Sequence, residues 1–271
     1  MEKQEGFAEV NGTRLYYEVA GIGYPLVLIH GFAVGLPSWD DQFEAFSQHH
    51  KVIRYDRRGF GKSADPIEQQ SYSHFDDLQA LLEYLGIAQA HILGHSDGSY
   101  VAVDFALAYP NMTRSLIPVS SGANGFVWPP ELFDEVGRVF SAAQENARKF
   151  GARAGNETFL QIPILKATLE NQNAAPRIVQ LFLNYRGWHW FNQDPAVALH
   201  PPAAERLDQI TTPTCLIVGE KEHEGNLLEV DFMYQHTPNA RKFVIPGAGH
   251  MVNIEAPRQF NEIVLNFLAQ T

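Results

Sequence analysis

Short apolar runs alternate with segments of helical periodicity through the first half of the chain. Residues 25–30, 51–55 and 90–93 are largely apolar, as strands buried on both faces of a sheet are. Between the second and third runs, residues 72–85 place apolar side chains at the spacing of an amphipathic helix. Buried strands that alternate with helices are typical of a parallel sheet wrapped by helices. The pattern therefore predicts an α/β protein with a mostly parallel central sheet flanked by helices.

The pattern also predicts elements at both ends of the chain. Residues 7–10 and 14–19 flank Asn11-Gly12, a dipeptide typical of tight hairpin turns, so we expect an opening antiparallel hairpin. Three later apolar runs and one closing helical pattern are found at residues 115–119, 214–218, 242–245 and 258–268.

The segment 123–208 has a different pattern, because it shows helical periodicity and no strand-like run. Its two longest helical patterns cover residues 131–150 and 177–185, and a Pro-Pro pair lies near each of its ends. Proline breaks regular structure and often marks such boundaries. We therefore expect residues 1–122 and 209–271 to form one core domain, with residues 123–208 inserted as a helical lid.

Composition and charge narrow the class of function. The chain has 271 residues, with 20 Lys and Arg against 31 Asp and Glu, which gives a formal net charge of −11. No basic cluster is visible, so we expect neither a nucleic acid nor a membrane as partner. The single cysteine, Cys215, lies in an apolar run and is expected in the core. Because no apolar leader or membrane-length run is present, a cytoplasmic location is expected.

The sharpest chemical signal is the sequence Gly94-His95-Ser96-Asp97-Gly98. It follows the predicted strand 90–93 and opens a helical run over residues 100–108. A serine at the apex of a tight strand-to-helix turn adopts a strained backbone, and glycines two residues before and after it allow the chain to approach itself. This context predicts that Ser96 is a nucleophile.

A serine hydroxyl needs a base to accept its proton and a third group to orient that base. His250 follows the predicted strand 242–245 through a glycine-rich turn, which would carry its imidazole beyond the sheet edge. The acid should follow the preceding strand, where the sequence offers Glu222 and, as its rival, Glu220. We predict Glu222, which lies three residues beyond Gly219.

Two further groups of residues are expected around this serine. The backbone N–H groups of Phe32 and Asp97 are the predicted donors to an oxyanion, since one follows the strand 25–30 and the other follows the nucleophile. Four aromatic residues suggest an apolar substrate pocket under the lid, although they equally fit an ordinary lid core: Phe126, Trp128, Trp188 and Trp190.

Other motifs do not support a metal or a nucleotide. Gly61-Lys62-Ser63 ends like a phosphate-binding loop but lacks the first glycine of that motif. His91 and His95 are four residues apart on a strand, too far apart to share one metal ion. Asp56, Arg57 and Arg58 suggest either an anion site or, more simply, structural ion pairs. We therefore expect no metal and no cofactor.

In these features the chain resembles the α/β-hydrolase fold superfamily, in its lidded branch of small esterases, lactonases and carbon–carbon bond hydrolases. The resemblance rests on the turn around Ser96, His30-Gly31, the stretch 56–63 and the turn 247–250, which occur in the order typical of the superfamily. It implies Ser96 as nucleophile, His250 as base and an acid at Glu222, where Asp is commoner. Ser99 replaces a frequent second glycine, and Asp97 is an unusual acidic neighbour of the nucleophile.

These observations together predict a serine hydrolase, as a monomer or homodimer, that cleaves a small apolar ester or lactone through an acyl-enzyme. Carbon–carbon bond hydrolysis and cofactor-free haloperoxidase-like activity use the same three residues and stay open as alternatives. Dehalogenase and epoxide hydrolase activities are disfavoured, since those relatives have an aspartate in place of Ser96. A hydrolase-fold ligand receptor with little turnover is the alternative from another class.

Overall fold

The computed structural model describes residues 3–271 and contains one eight-stranded sheet in the order β1-β2-β4-β3-β5-β6-β7-β8. The strands pair in parallel from β4 to β8, whereas β1 pairs antiparallel with β2, and β2 with β4. The strands are β1 (Lys3–Val10), β2 (Thr13–Ala20), β3 (Pro25–Ile29), β4 (Lys51–Tyr55), β5 (Ala90–His95), β6 (Thr113–Val119), β7 (Thr214–Gly219) and β8 (Ala240–Ile245). The predicted α/β class and mostly parallel sheet are confirmed.

The opening hairpin turns at Asn11 and Gly12, as the sequence predicts. Both residues have positive φ angles, 46° and 68°, and Val10 lies opposite Thr13. Two successive residues with positive φ give the tight turn whose twist matches that of the flanking strands. The hairpin forms one edge of the sheet, where β2 pairs with β4.

Helices pack against both faces of the sheet. Along β3, Val27 and Ile29 join one hydrophobic cluster and Leu26 and Leu28 join another, because successive side chains point to opposite faces. Helices α2, α3 and α9 contribute to the first cluster, and α1 and α11 to the second. These helices are α1 (Asp40–Phe46), α2 (His74–Tyr84), α3 (Asp97–Ala108), α9 (Glu224–His236) and α11 (Pro257–Leu268), with a short α10 (Val252–Glu255) before the last.

The chain between β6 and β7 is helical over the region where the sequence predicts an insertion. It contains α4 (Pro130–Phe150), α5 (Ala152–Phe159), α6 (Lys166–Glu170), α7 (Ala175–Leu183) and α8 (Trp188–Phe191). Its apolar side chains form a third cluster, which includes Phe159 and Trp190 and packs on Phe60 and Met251 of the core. The domain bounds 1–122, 123–208 and 209–271 stay a prediction, and residues 1 and 2 of the first range lie outside the described residues.

The sequence pattern did not predict two of the helices, and the structure shows why. Helix α1 is too short for a periodic pattern to be distinctive. Helix α9 buries Asn226 and Glu229, so its inner face does not read as apolar. Cys215 is fully buried in β7, as expected. Within residues 3–271, no helix is both long and apolar enough to cross a membrane.

Candidate active site

The strand order brings four loops to one edge of the sheet. Strands β3, β5, β7 and β8 are parallel, so the segments that follow them all leave from the same edge. Strand β3 lies between β4 and β5. The chain leaves β3 toward β4 on one side and leaves β5 toward β6 on the other, so the direction of the connections reverses between β3 and β5. Ligands of open α/β sheets bind at such a switch point. The loops that carry Phe32, Ser96, Glu222 and His250 therefore surround one crevice.

Ser96 lies between β5 and α3 in a strained backbone conformation, with φ 54° and ψ −125°. Its N–H donates to the carbonyl of Val119 at 2.8 Å, which anchors the turn on β6. A side chain at Gly94 would collide with the backbone of Gly98, and one at Gly98 would collide with the carbonyls of β3. The two glycines are therefore a steric requirement of the turn that presents Ser96.

Ser99 has a structural task in this turn. Its buried hydroxyl lies 2.6 Å from the carbonyl oxygen of Gly94 and 3.0 Å from that of Val119, and it accepts the N–H of Val119 at 2.9 Å. A glycine at this position would leave those backbone groups without the hydroxyl. The serine thus ties the turn to both β5 and β6.

Ser96, His250 and Glu222 form a continuous chain of hydrogen bonds. The Oγ of Ser96 lies 2.9 Å from Nε2 of His250. On the other side of the ring, Nδ1 of His250 lies 2.9 Å and 3.1 Å from the two carboxylate oxygens of Glu222. Since a carboxylate only accepts, Nδ1 carries the proton and Nε2 is free to accept the proton of Ser96.

The environment of Glu222 keeps it ionised. Burial raises the pKa of Glu222, but its electrostatic interaction with His250 and hydrogen bonds from three groups outweigh burial and leave its pKa below the ordinary value. The Oε1 atom of Glu222 accepts from Asn226 Nδ2 at 3.0 Å and from the N–H of His223 at 2.8 Å. A charged carboxylate at this position both orients His250 and stabilises the imidazolium that proton transfer creates.

Glu220, the rival acid, points elsewhere. It is exposed, and its carboxylate accepts the N–H of Gly247 at 2.8 Å, while its own N–H donates to Ile245. Of the two candidates, the structure places only Glu222 within hydrogen-bonding distance of His250.

The backbone of His250 is held by residues that the sequence analysis did not identify. Its N–H donates to the hydroxyl of Thr168 in α6 at 2.8 Å. Its carbonyl accepts from Nε2 of His95 at 2.9 Å and from Ser120 at 3.0 Å. The sequence could have identified His95, because it lies next to Ser96. No local pattern distinguishes Thr168, which lies 82 positions from His250.

The N–H groups of Phe32 and Asp97 lie beside the serine. Both residues line the same cavity as Ser96 and His250. Within residues 3–271, neither N–H donates to another group of the chain. A Cβ added to Gly31 would lie 3.2 Å from the Cβ of Ser96, so the turn after β3 closely approaches the nucleophile. This placement fits the two predicted oxyanion donors.

The cavity beside Ser96 has a volume of about 250 Å³ and mostly apolar walls. One wall comes from the segment between β6 and β7. The side chains that this segment contributes are Phe140, Phe159, Ile162, Ile164, Leu165 and Phe182.

The four aromatic residues predicted for the pocket do not line it, which corrects that prediction. Trp190 is fully buried behind the wall, where its indole N–H donates to Asn156 at 2.6 Å. Trp188 packs on His189, while Phe126 and Trp128 lie in a separate surface groove against α9. The sequence shows that a segment is aromatic, but only packing determines which aromatic side chains face the serine.

A second cavity of about 250 Å³ adjoins the first and has more polar residues in its walls. Phe32 and Asp97 line both cavities, and Arg57, His74 and His189 are among the polar residues of the second. Burial and, to a smaller extent, the charge of the nearby Arg57 lower the pKa of His74 to about 3, so its imidazole is neutral at pH 7.

The charged residues at 56–58 form internal contacts. Asp56 accepts the N–H groups of Leu36 and Lys62 at 2.9 and 2.8 Å. Arg57 pairs with Asp97 at 2.5 Å, and Arg58 pairs with Asp77 at 2.7 Å. The structural ion pairs considered from the sequence are therefore present. Among the described residues, no group of three or more His, Cys, Asp or Glu side chains is arranged to hold a metal ion.

Comparisons with known proteins agree with this architecture. A family model described as the alpha/beta hydrolase fold matches residues 24–257. A hydrolase of Paraburkholderia phymatum named for 2-hydroxy-6-oxononadienedioate and 2-hydroxy-6-oxononatrienedioate is 28% identical over 270 residues, covering 95% of this chain and 91% of its own.

Two solved structures are similar over nearly the whole chain. A thermophilic esterase from Thermogutta terrifontis is 26% identical with a TM-score of 0.81, covering 98% of both chains. An enol-lactonase from Burkholderia xenovorans LB400 is 24% identical with a TM-score of 0.81, covering 97% of this chain and 100% of its own, and this likeness supports the fold. Because the family model spans most of the sequence, the chain belongs to the alpha/beta hydrolase fold family.

Proposed function

We propose that the protein is a serine hydrolase that cleaves a small, apolar carboxylic ester or lactone through an acyl-enzyme. The observation that carries this proposal is the hydrogen-bonded chain from Ser96 through His250 to Glu222, with 2.9 Å at each step. A buried, ionised acid behind a neutral imidazole is the arrangement that makes a serine hydroxyl nucleophilic.

In this mechanism Ser96 Oγ attacks the substrate carbonyl while Nε2 of His250 accepts its proton. The negative charge that develops on the carbonyl oxygen is stabilised by the N–H groups of Phe32 and Asp97, which need not reorganise. His250 then returns the proton to the leaving alcohol. A water molecule, activated by His250 in the same way, releases the acid and restores Ser96.

The apolar cavity supports the choice of substrate class. Its walls from the segment between β6 and β7 provide alkyl and aromatic side chains but no charge, so they favour an apolar acyl or alcohol group. We propose that residues 123–208 act as the lid over this cavity. The esterase among the structural relatives is consistent with ester cleavage.

Carbon–carbon bond hydrolysis is the second candidate, favoured by the Paraburkholderia phymatum relative whose name states a dienedioate substrate. Of residues 3–271, no Lys or Arg lines the apolar cavity, and Arg57 in the adjoining cavity is already paired with Asp97. A substrate with two carboxylates therefore fits these cavities less well than a neutral ester.

The test is multiple turnover of p-nitrophenyl esters of acetate to octanoate, with vinylogous diketones assayed in parallel. We expect ester turnover that Ser96→Ala abolishes, and an organophosphonate adduct on Ser96 by mass spectrometry. Diketone cleavage without ester turnover would favour the second candidate. Ligand-dependent thermal stabilisation with negligible turnover of any substrate would indicate a receptor and contradict the proposal.

A further inference from the structure

Asp97 places a carboxylate next to the reacting serine. It follows Ser96 directly, its side chain is 41% exposed, and it lines the same cavity as His250. In the proposed mechanism the N–H of Asp97 stabilises a negative charge on the substrate oxygen. A carboxylate on the same residue would oppose that charge, because two negative charges a few Å apart repel each other.

Arg57 lies where it can compensate this charge. Its Nη2 atom is 2.5 Å from the carboxylate of Asp97, and its own side chain is only 1% exposed. Its N–H donates to Nε2 of His30 at 3.0 Å, and its guanidinium lies 4.7 Å from the centre of the Phe60 ring. The backbone of Arg57 is thus anchored on His30, and its guanidinium contacts the Phe60 ring and the Asp97 carboxylate.

Neither cavity offers Asp97 another lysine or arginine. Across the described part of the chain, Arg57 is the only Lys or Arg side chain that lines either cavity. The histidines near Asp97 are His74 and His189, of which His74 is neutral at pH 7 because burial lowers its pKa. Burial raises the pKa of Asp97, but its neighbours, with Arg57 as the largest contributor, outweigh burial and leave the pKa below the ordinary value.

We propose that Arg57 is a positioning residue of the oxyanion site, which neutralises the Asp97 carboxylate and fixes Asp97 so that its N–H can stabilise the transition state. The proposal rests on the proposed function and adds a reason why an acidic residue can follow the nucleophile. An ionised Asp97 without Arg57 would raise the barrier of both acylation and deacylation, because the same oxyanion site serves both steps.

The adjacent pair of Arg58 and Asp77 is a matched control. It is also buried, with both side chains 2% exposed, and Arg58 additionally donates to the carbonyl of Asn11 at 3.0 Å. Neither Arg58 nor Asp77 lines the cavity beside Ser96. Loss of this pair should lower thermal stability and leave kcat of the folded protein nearly unchanged, whereas loss of the Arg57 pair should lower kcat.

The experiment compares Arg57→Gln, Arg57→Lys and the double variant Arg57→Gln/Asp97→Asn on p-nitrophenyl butyrate, with active sites counted by organophosphonate labelling. We expect Arg57→Gln to lower kcat by about 10- to 100-fold with KM changed by less than about threefold. Arg57→Lys, which keeps the charge, should stay within about threefold of wild type. The double variant should regain at least about tenfold over Arg57→Gln, because it carries no uncompensated carboxylate.

Whether kcat rises or falls from Arg57→Gln to the double variant distinguishes charge compensation from a merely structural role. If Arg57 only supports the fold, removing its partner as well cannot restore kcat, so a double variant no faster than Arg57→Gln would overturn the proposal. Wild-type kcat in Arg57→Gln would also overturn it. If Arg57→Gln yields no folded protein, a loss of tenfold or more in Arg57→Lys overturns it. Absence of ester turnover in the wild type would instead contradict the proposed function.

Discussion

Ser96 has a strained backbone conformation. A non-glycine residue at φ 54° and ψ −125° costs roughly 1–3 kcal/mol, and it persists only where the surroundings enforce it. Here the enforcing contacts are the hydrogen bond from its N–H to Val119 and the close passage of Gly94 and Gly98 past neighbouring backbone. The strain exposes the hydroxyl at the edge of the sheet, where the imidazole of His250 can reach it.

The clearest prediction for single residues concerns the two glutamates after β7. Glu222→Gln should lower kcat by about 10³- to 10⁴-fold, because the amide orients His250 with its proton on the wrong nitrogen and stabilises no imidazolium. Glu220→Gln is the control and should change kcat by less than about twofold, since its carboxylate contacts the Gly247 backbone. Steady-state kinetics on p-nitrophenyl butyrate measure both, and the opposite ranking would transfer the acid role to Glu220.

Among the elements, the short helix α6, in the segment between β6 and β7, contacts the loop that carries His250. The hydroxyl of Thr168 accepts the N–H of His250 at 2.8 Å and donates to the carboxylate of Glu255 at 2.6 Å. Thr168 is fully buried, so no water can replace these contacts without rearrangement. The position of His250 therefore depends on a helix of the segment between β6 and β7 as well as on the sheet.

We expect Thr168→Val to lower kcat about tenfold or more, because it leaves the buried N–H of His250 without a partner, and Thr168→Ser to stay within about threefold. Valine preserves the shape of threonine, so the comparison isolates the hydroxyl. Thermal unfolding should show a loss of stability of about 1–3 kcal/mol for the valine variant. Equal kcat for the two variants would show that Thr168 does not position His250.

For the whole molecule, buried histidines couple folding to pH. His91 is 3% exposed in the centre of the sheet, and burial lowers its pKa to about 4. Between about pH 6.5 and pH 4 the unfolded chain binds a proton at this residue and the folded chain does not. His91 therefore stabilises the fold fully above its unfolded pKa, and this contribution is lost as the pH falls toward 4.

Replacing this histidine should flatten the dependence of stability on pH. At pH 5 the contribution of His91 is reduced by about 2 kcal/mol relative to pH 8, and His91→Gln should lack this change. Denaturant unfolding at pH 5 and pH 8 measures the free energy of unfolding of each protein. The difference between the two proteins at pH 8 gives the cost of losing the hydrogen bond to Ser115, and it is subtracted from the difference at pH 5. A wild type and a variant with the same change between pH 8 and pH 5 would refute the assignment.

Much of the architecture could be predicted because its signals are local. The parallel strands, the hairpin at Asn11-Gly12 and helices α2, α4 and α11 follow from side-chain periodicity and turn residues in short windows. Ser96 was identifiable because a strand, two glycines and a helix surround it within a few residues. Helix α9 escaped prediction because its buried face includes polar side chains, Glu229 among them, that bond to distant residues.

The sequence by itself determined the strands and several of the helices, and it singled out Ser96 and His250 as candidates, since periodicity and tight turns are properties of neighbouring residues. Only the tertiary structure decided that Glu222 rather than Glu220 lies beside His250, which side chains line the cavity, and that Thr168 contacts His250 and Arg57 contacts Asp97. These features depend on contacts between segments far apart in the chain. Such contacts exist only once the sheet has aligned its loops at one edge and the helices after β6 have packed over them.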